Sequence, residues 1–398
     1  MKEGILLIAL INTANSGDVD HTRGVMNVLY GRLEPNYNIE KIEMDVKDKE
    51  AKSFSNELES NDFFISKYKN FNKVVTYAAG ETSLNHLIEF KDKFPKTHII
   101  FGAHQFFKSL ISSNLPNIDM LVMPKYAINS EQESIIKQYG VKLSGTFGIP
   151  HSSTLKKLRE SFEQRKSTIP ESKKYLLVVL GGDAPTPEGI IKYYTKDEAI
   201  YLAQIVASKA KEGYYVLVTN SGRTGLHNPF TKEKLAVHDE SVVNEYKIDE
   251  ITTAFCKKLE QNKVEFRLFD FKKLKTGQYD SSFDALLYTV SNNSESIAIL
   301  PAESSSMITK TSDFLKADKL VVYNNNAVNQ VHEAQVRLLN DSNRINYYEV
   351  TKNGFEKIKP RKNNNDQNIE NEIIKSDAEI VAESVINQFV KEKSYITK

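Results

Sequence analysis

Cysteine is almost absent. Cys256 stands alone among 398 residues, so no internal disulfide can form and a reducing compartment is permitted. Its Ala254-Phe255-Cys256 setting reads as a helix packed on a core. A charge excess of either sign is missing too. With 53 Lys and Arg against 52 Asp and Glu, the chain has no basic field to hold nucleic acid or an anionic membrane. Long apolar runs are missing, and none approaches the length of a membrane span. The run at residues 5–11 is too short for a signal peptide, with Glu3 before it and no small-residue cleavage pattern after it, so it reads as a first strand. Neither a Gly-x-Gly-x-x-Gly fingerprint nor a Walker lysine occurs, which removes the main support for nicotinamide and kinase readings. A cytoplasmic setting is expected. The polar tail at 391–398 leaves room for a secretion signal, as in an effector acting in a host cell.

What is present suits two domains. The length is long for one core, and 40% hydrophobic residues suffice for two. Continuous apolar runs, separated by helical patterns, predict strands at 4–11, 38–44, 73–77, 98–101, 118–123 and 141–143. The rhythm repeats at 174–180, 214–218, 264–269, 297–300, 320–323 and 346–350. Runs that do not alternate suit parallel sheets covered on both faces. A charged helical stretch at 155–174 ends in Ser167-Thr168-Ile169-Pro170, a reasonable linker. The expected division is therefore 1–170, 171–368 and a C-terminal helix with tail at 369–398, packing back on the first domain. That helix should begin at Ser376, capped with Glu379, and present Val381, Val385 and Phe389 on one face. Residues 359–368, with the run Asn363-Asn364-Asn365, read as a polar loop.

In parallel sheets, ligands bind beyond the carboxyl ends of the strands. The loop Glu303-Ser304-Ser305-Ser306 follows a buried run and precedes a helical pattern, so its N–H groups and hydroxyls can hold an anion; Ser304 can equally be a plain helix cap. Gly181-Gly182 permits close backbone approach, with Pro185 and Pro187 stiffening a wide loop. Thr219, Ser221 and Arg223 share a glycine-containing loop in which arginine suits phosphate, the plain alternative being a polar turn. In the first half, Asp18, Asp20 and His21 lie just before a helix and can serve as a general base, as helix caps or as surface groups. No third ligand lies near Asp18 and Asp20 in sequence, so no metal is expected there. Glu81 and His104 occupy two further loops of that half.

Several of these stretches, in order, resemble one family: the GT-B-type glycosyltransferases related to the plant mitochondrial-fission ELM proteins. Ile118-Asp119-Met120-Leu121-Val122-Met123-Pro124 resembles its Asp-Leu-Val-Val-x-Pro strand, and Pro150-His151-Ser152-Ser153-Thr154 its Pro-His-x-x-Thr passage. Val178 to Gly182 and Val218 to Arg223 also fit, and Pro301-Ala302-Glu303-Ser304-Ser305-Ser306-Met307 resembles Thr-Ala-Asp-Ser-x-x-Met. The chain departs from the pattern at Glu303, where the family has Asp, and at Lys275-Thr276-Gly277-Gln278-Tyr279, in place of Asn-Pro-Tyr.

The resemblance implies an α/β protein of two Rossmann-like domains with parallel sheets facing a cleft. It implies metal-independent transfer of a sugar from a nucleotide-sugar donor, without a cofactor, to a carbohydrate, lipid or protein acceptor. The second domain would hold the donor through Gly181, Gly182, Thr219, Ser221, Arg223 and Glu303 to Ser306. The first would present the acceptor near Glu81 and His104, with Asp20 as base and Asp18 or His21 as substitutes. The departures leave two alternatives: a catalytically decayed recruitment protein, directed to mitochondria or a host, and a nucleotide-sugar epimerase or hydrolase. The Lys, Asn and Ile-rich composition suits an AT-rich bacterial genome.

Overall fold

The structure, a computed structural model, describes residues 3–104, 114–186, 189–240, 242, 247–276, 278–352, 354–360 and 375–391. Residues 105–107 of the fourth-strand loop, Pro187, Gly277, the run Asn363-Asn364-Asn365 and the tail beyond Lys391 lie outside the described residues. The chain divides into two units, Met1–Ser152 with Ile373–Lys398, and Ser153–Glu372.

The first unit runs β1 (Gly4–Ile11), α1 (Ser16–Leu33), β2 (Asn38–Asp45), α2 (Ala51–Glu59), α3 (Asp62–Asn70), β3 (Lys73–Ala79), α4 (Glu81–Lys93), β4 (Thr97–Gly102), β5 (Met120–Pro124), α5 (Ser130–Gln138) and β6 (Lys142–Thr146). Its six strands are parallel in the order β2-β1-β3-β4-β5-β6. The unbroken apolar run of β1 is explained by burial on both faces. Leu6, Ile8 and Leu10 pack toward Phe54, Phe64 and Phe90 of the helices α2 to α4 and Phe94 just after α4, while Ile5, Leu7 and Ala9 pack toward Val25, Met26 and Leu29 of α1. The strand order reverses between β1 and β3, and a crevice opens at such a reversal beyond the carboxyl ends.

The second unit contains α6 (Leu155–Arg165), β7 (Tyr175–Val179), the short pair β8 (Ala184–Pro185) and β9 (Ile191–Lys192), α7 (Lys196–Ala210), β10 (Tyr215–Thr219) and α8 (Glu250–Gln261). It continues with β11 (Phe266–Phe269), a second short pair β12 (Lys272–Lys273) and β13 (Tyr279–Asp280), α9 (Phe283–Ser291), β14 (Ile297–Pro301), α10 (Ser305–Ser312), β15 (Leu320–Tyr323), α11 (Gln330–Asp341), β16 (Asn346–Thr351) and β17 (Gly354–Lys357). The main sheet has the order β11-β10-β7-β14-β15-β16-β17. Its first six members are parallel in the dinucleotide-fold order, with the reversal between β7 and β14, and β17 returns antiparallel on β16.

The final helix, α12 (Asp377–Val385), belongs to the first unit. Ser376 and Glu379 form its capping box, and Val381, Ala382 and Val385 join the core that α1 lines. Asp377 is buried and accepts from the N–H groups of Phe147 (2.7 Å) and Gly148 (2.8 Å), fixing the helix to the chain after β6.

The boundary expected near Pro170 falls at Ser152 instead. The charged stretch taken for linker is α6, whose Leu158 is buried and whose Phe162 ring meets Tyr288 of α9 at 5.2 Å, so it packs within the second unit. Two apolar positions one helical turn apart are enough to dock a helix that is otherwise solvated.

Candidate functional site

In the first unit the loops at the strand reversal gather titratable groups. Asn15 caps α1 and donates from Nδ2 to Asp18 Oδ2 at 2.6 Å, while His104 Nε2 lies 2.8 Å from Asp18 Oδ1. Asp18 is 3% exposed, so its carboxylate sits in low dielectric with both oxygens engaged. Gly80, with φ +87°, lies against it, and a Cβ there would meet Asp18 Oδ2 at 1.9 Å. Only glycine allows both that backbone and that approach. His21 is buried and bonds the Tyr77 hydroxyl at 2.8 Å. Burial first, then the neighbouring His104, pushes its pKa well below the usual imidazole range, so the ring is neutral. Nδ1 of His21, Nδ1 of His104 and the Ser83 hydroxyl are buried and have no partner among the described residues. Buried polar atoms seldom stay unpaired, so a polar ligand or water suits this crevice.

Asp20, expected as the leading base, is placed differently. Its Oδ1 accepts from the Ser152 N–H at 3.1 Å and from the Ser152 hydroxyl, tying α1 to the residue at which the chain leaves the unit's first segment. Glu81 is exposed in the first turn of α4. Geometry therefore brings Asp18, His21 and His104 together, ties Asp20 to Ser152 and leaves Glu81 exposed at the start of α4.

In the second unit the reversal lies between the loops after β7 and β14. Glu303 is 1% exposed, and its Oε1 accepts from the Gly182 N–H at 2.8 Å while Oε2 accepts from Asn325 Nδ2 at 2.6 Å. Its carboxylate thus staples the loops that follow β7, β14 and β15. Burial raises its pKa, opposed by the Asn325 and Gly182 bonds and by the charge of Arg223. Ser304 stands at the N-cap of α10 without using its side chain to cap it. The N–H groups of Ser305, Ser306 and Met307 have no hydrogen-bond partner among the described residues. This is an uncapped, positive helix end.

Gly182 packs so closely on Arg223 that a Cβ would meet Arg223 Cβ at 2.8 Å. The Arg223 guanidinium has no hydrogen-bond or ion-pair partner among the described residues. Its charge acts on Glu303, and burial first, then the charges of Arg223 and Lys192, pulls the pKa of His332 down to about 4. Arg223 and Lys192 thus act on the same surroundings, and no acid pairs with either among the described residues. Ser221 takes the turn role: its Oγ accepts from the Arg223 N–H at 3.3 Å, and its N–H donates to Thr224 Oγ1 at 3.1 Å. Thr219 is buried and donates to the Phe269 carbonyl at 2.8 Å, a strand-end lock with no free group. Gly181 lies against the Tyr194 ring.

Arg223 also lines a cavity of about 680 Å³ with Gly222, Leu226, His238, Phe271 and Tyr279. Phe271 and Tyr279 stack there with centroids 5.7 Å apart. Asn220, buried and not singled out from sequence, holds the segment that carries Phe271. Its Nδ2 donates to Asp270 Oδ1 (2.6 Å), Thr252 Oγ1 (2.9 Å) and Asp249 Oδ2 (3.3 Å), and its Oδ1 accepts from the Phe271 N–H (2.7 Å). His238, Asp249 and Asp270 bring ligand atoms within 4.8 Å of one another, a set of types that could hold a divalent cation. The Phe271 bond fixes the Asn220 amide so that its N–H groups, not its oxygen, face both carboxylates, which favours a hydrogen-bond network over a metal.

No family model matches the chain, and no curated protein matches it. Among solved structures it is similar to UDP-GlcNAc 2-epimerase from Neisseria meningitidis, at 10% identity over 88% of each chain with a TM-score of 0.45. It is similar to the same enzyme from Methanocaldococcus jannaschii, at 10% identity over 84% of this chain and 91% of that one, with a TM-score of 0.45. A family 9 glycosyl transferase from Veillonella parvula gives 13% identity over 81% and 80%, with a TM-score of 0.38.

Proposed function

We propose that the chain is a metal-independent, nucleotide-sugar-dependent glycosyltransferase of GT-B type, as the ELM resemblance implies. The observation that carries this reading is the uncapped N-terminus of α10 at the strand reversal, with the unpaired Arg223 on the neighbouring loop. A diphosphate matches both in charge and donor geometry. The nucleobase would enter the cavity against Phe271 and Tyr279, and the sugar would lie by the Gly181-Gly182 loop. Protein dipoles and Arg223 would then stabilise the departing nucleoside diphosphate as charge develops on it.

The first unit would take the acceptor. Asp18 and His104 are the base pair of this reading, because a buried carboxylate that holds an imidazole can accept the proton of an attacking hydroxyl. The test is thermal denaturation with UDP, ADP and GDP. A rise in melting temperature with one of them, lost in Arg223→Ala, is expected. No shift with any nucleoside diphosphate or nucleotide sugar sinks the proposal. Product analysis with a bound donor separates transfer, which needs an acceptor, from epimerisation or hydrolysis, which do not.

A further inference from the structure

The second unit holds an Asp–His pair that neither the sequence pattern nor the anion site above has used. We propose that His227, aimed by Asp183, is a direct ligand of the diphosphate group in that site, donating from Nε2 as an imidazolium. The proposal rests on the reading of the crevice as a diphosphate site and deepens it by one residue and its positioning partner.

Asp183 follows Gly181-Gly182 and is 3% exposed. Its Oδ2 accepts from the His227 backbone N–H at 2.9 Å and from His227 Nδ1 at 3.0 Å, and its Oδ1 accepts from the Tyr194 N–H at 3.3 Å. Those bonds fix which nitrogen carries the inner proton and hold the ring plane, with Tyr193 edge-on at 6.4 Å. Nε2, on the far side of the ring, has no hydrogen-bond partner among the described residues, and the side chain is 17% exposed, so the outer nitrogen reaches solvent.

The pair is also tied to the anion site. The Asp183 N–H donates to the Arg223 carbonyl at 3.0 Å, so the segment bearing Arg223 and His227 is laced to the glycine strip. Among the described residues, Asp183 from the loop after β7 bonds the ring and Tyr193 from the segment before α7 meets its edge, while its own segment carries Arg223 and, across the backbone pairing, Glu233 and Lys234. Among the described residues Asp183 is the acid bonded to the ring, and its oxygens are committed to positioning. The outer Nε2 is therefore left for an anion, on the segment that also bears Arg223. A merely structural clamp would need only the His227 backbone N–H and would gain nothing from an outward nitrogen.

The experiment is calorimetry on the full chain at pH 7.5, titrating inorganic pyrophosphate and, separately, UDP, in buffers of different ionisation enthalpy. Wild type is expected to bind pyrophosphate with proton uptake. His227→Gln should weaken binding roughly tenfold and remove the uptake, as loss of one charge-assisted bond requires. Asp183→Asn should weaken it by a smaller factor, since it loosens the ring without removing it. Should His227→Gln fail to fold, ¹⁵N spectra of wild-type histidines give the same answer, because Nε2 of His227 must change from acceptor to donor type as pyrophosphate is added. Equal affinity in wild type and His227→Gln, or an unmoved Nε2 resonance, overturns the dyad while UDP binding keeps the donor reading alive. Pyrophosphate bound through His227 with no nucleoside diphosphate bound keeps the dyad and overturns the nucleotide. Binding of neither overturns both.

Discussion

At the scale of single residues, the contrast between Asp18 and Asp20 shows how two carboxylates two positions apart acquire different work. Asp20 holds the backbone and hydroxyl of Ser152, whereas Asp18 holds an imidazole from the β4 loop. Asp18→Asn is expected to lower kcat by a factor of about 10² to 10⁴, the usual worth of a positioned base, with KM for the donor unchanged. Asp20→Asn should instead lower stability and spare the per-molecule rate. Equal rate losses in the two, at matched folded fraction, would falsify the assignment. Glu303 makes a complementary case. Truncation to Ala leaves the Gly182 N–H and the Asn325 amide without acceptors, so Glu303→Ala should cost about 2–4 kcal/mol in denaturant unfolding. None of these partners could be read from the sequence, because Ser152 lies 132 positions from Asp20 and Gly182 lies 121 from Glu303. Residue type told which groups could do chemistry; only folded proximity told which were already occupied.

At the scale of elements, the apolar runs were the most legible feature. Each of the twelve expected strands has an observed counterpart, and the central ones, such as β1, β3, β7 and β14, are buried on both faces and leave an uninterrupted signal. The short pairs β8–β9 and β12–β13 and the returning strand β17 left no such run, being edge or loop structures with polar residues. The helix α6 was legible as a helix but not as a packed one. Helix α11 carries a pH-dependent start. His332 Nδ1 accepts from the Asn329 N–H at 3.4 Å in its capping box, and this works only while the ring is neutral.

Because the folded pKa of His332, about 4, lies below the unfolded value near 6.5, the unfolded chain binds the proton more readily. Its contribution to stability is present above about 6.5 and is lost as pH falls from there toward 4. Hydrogen exchange at the first turn of α11, corrected for intrinsic rate, should therefore accelerate across that window. His332→Gln, which can keep the capping bond at any pH, should flatten the response; an unchanged slope would remove His332 as its cause.

At the scale of the whole molecule, two parallel α/β units were expected, and each is present with its own core. The boundary differs from the expected one because a charged helix that runs into a proline among small polar residues looks like linker until its two apolar contacts are known. The docking of α12 gives a further prediction. Removing residues 373–398 strips Val381, Ala382 and Val385 from the core lined by α1 and leaves the Phe147 and Gly148 N–H groups without Asp377. The first unit should then unfold under conditions where the second persists. Two transitions in a calorimetric scan, the lower one shifted down by the truncation, are the expected record; a uniform shift of both would count against it.

That same helix sets a clock on synthesis. The ribosome delivers the first unit's strands early but its closing helix last, after every residue of the second unit has left the exit tunnel. The nascent first unit must therefore wait with the apolar face of α1 uncovered while its neighbour folds, and a chaperone that shields that face, or a slowing of translation late in the message, would change the yield of folded protein without altering its final stability.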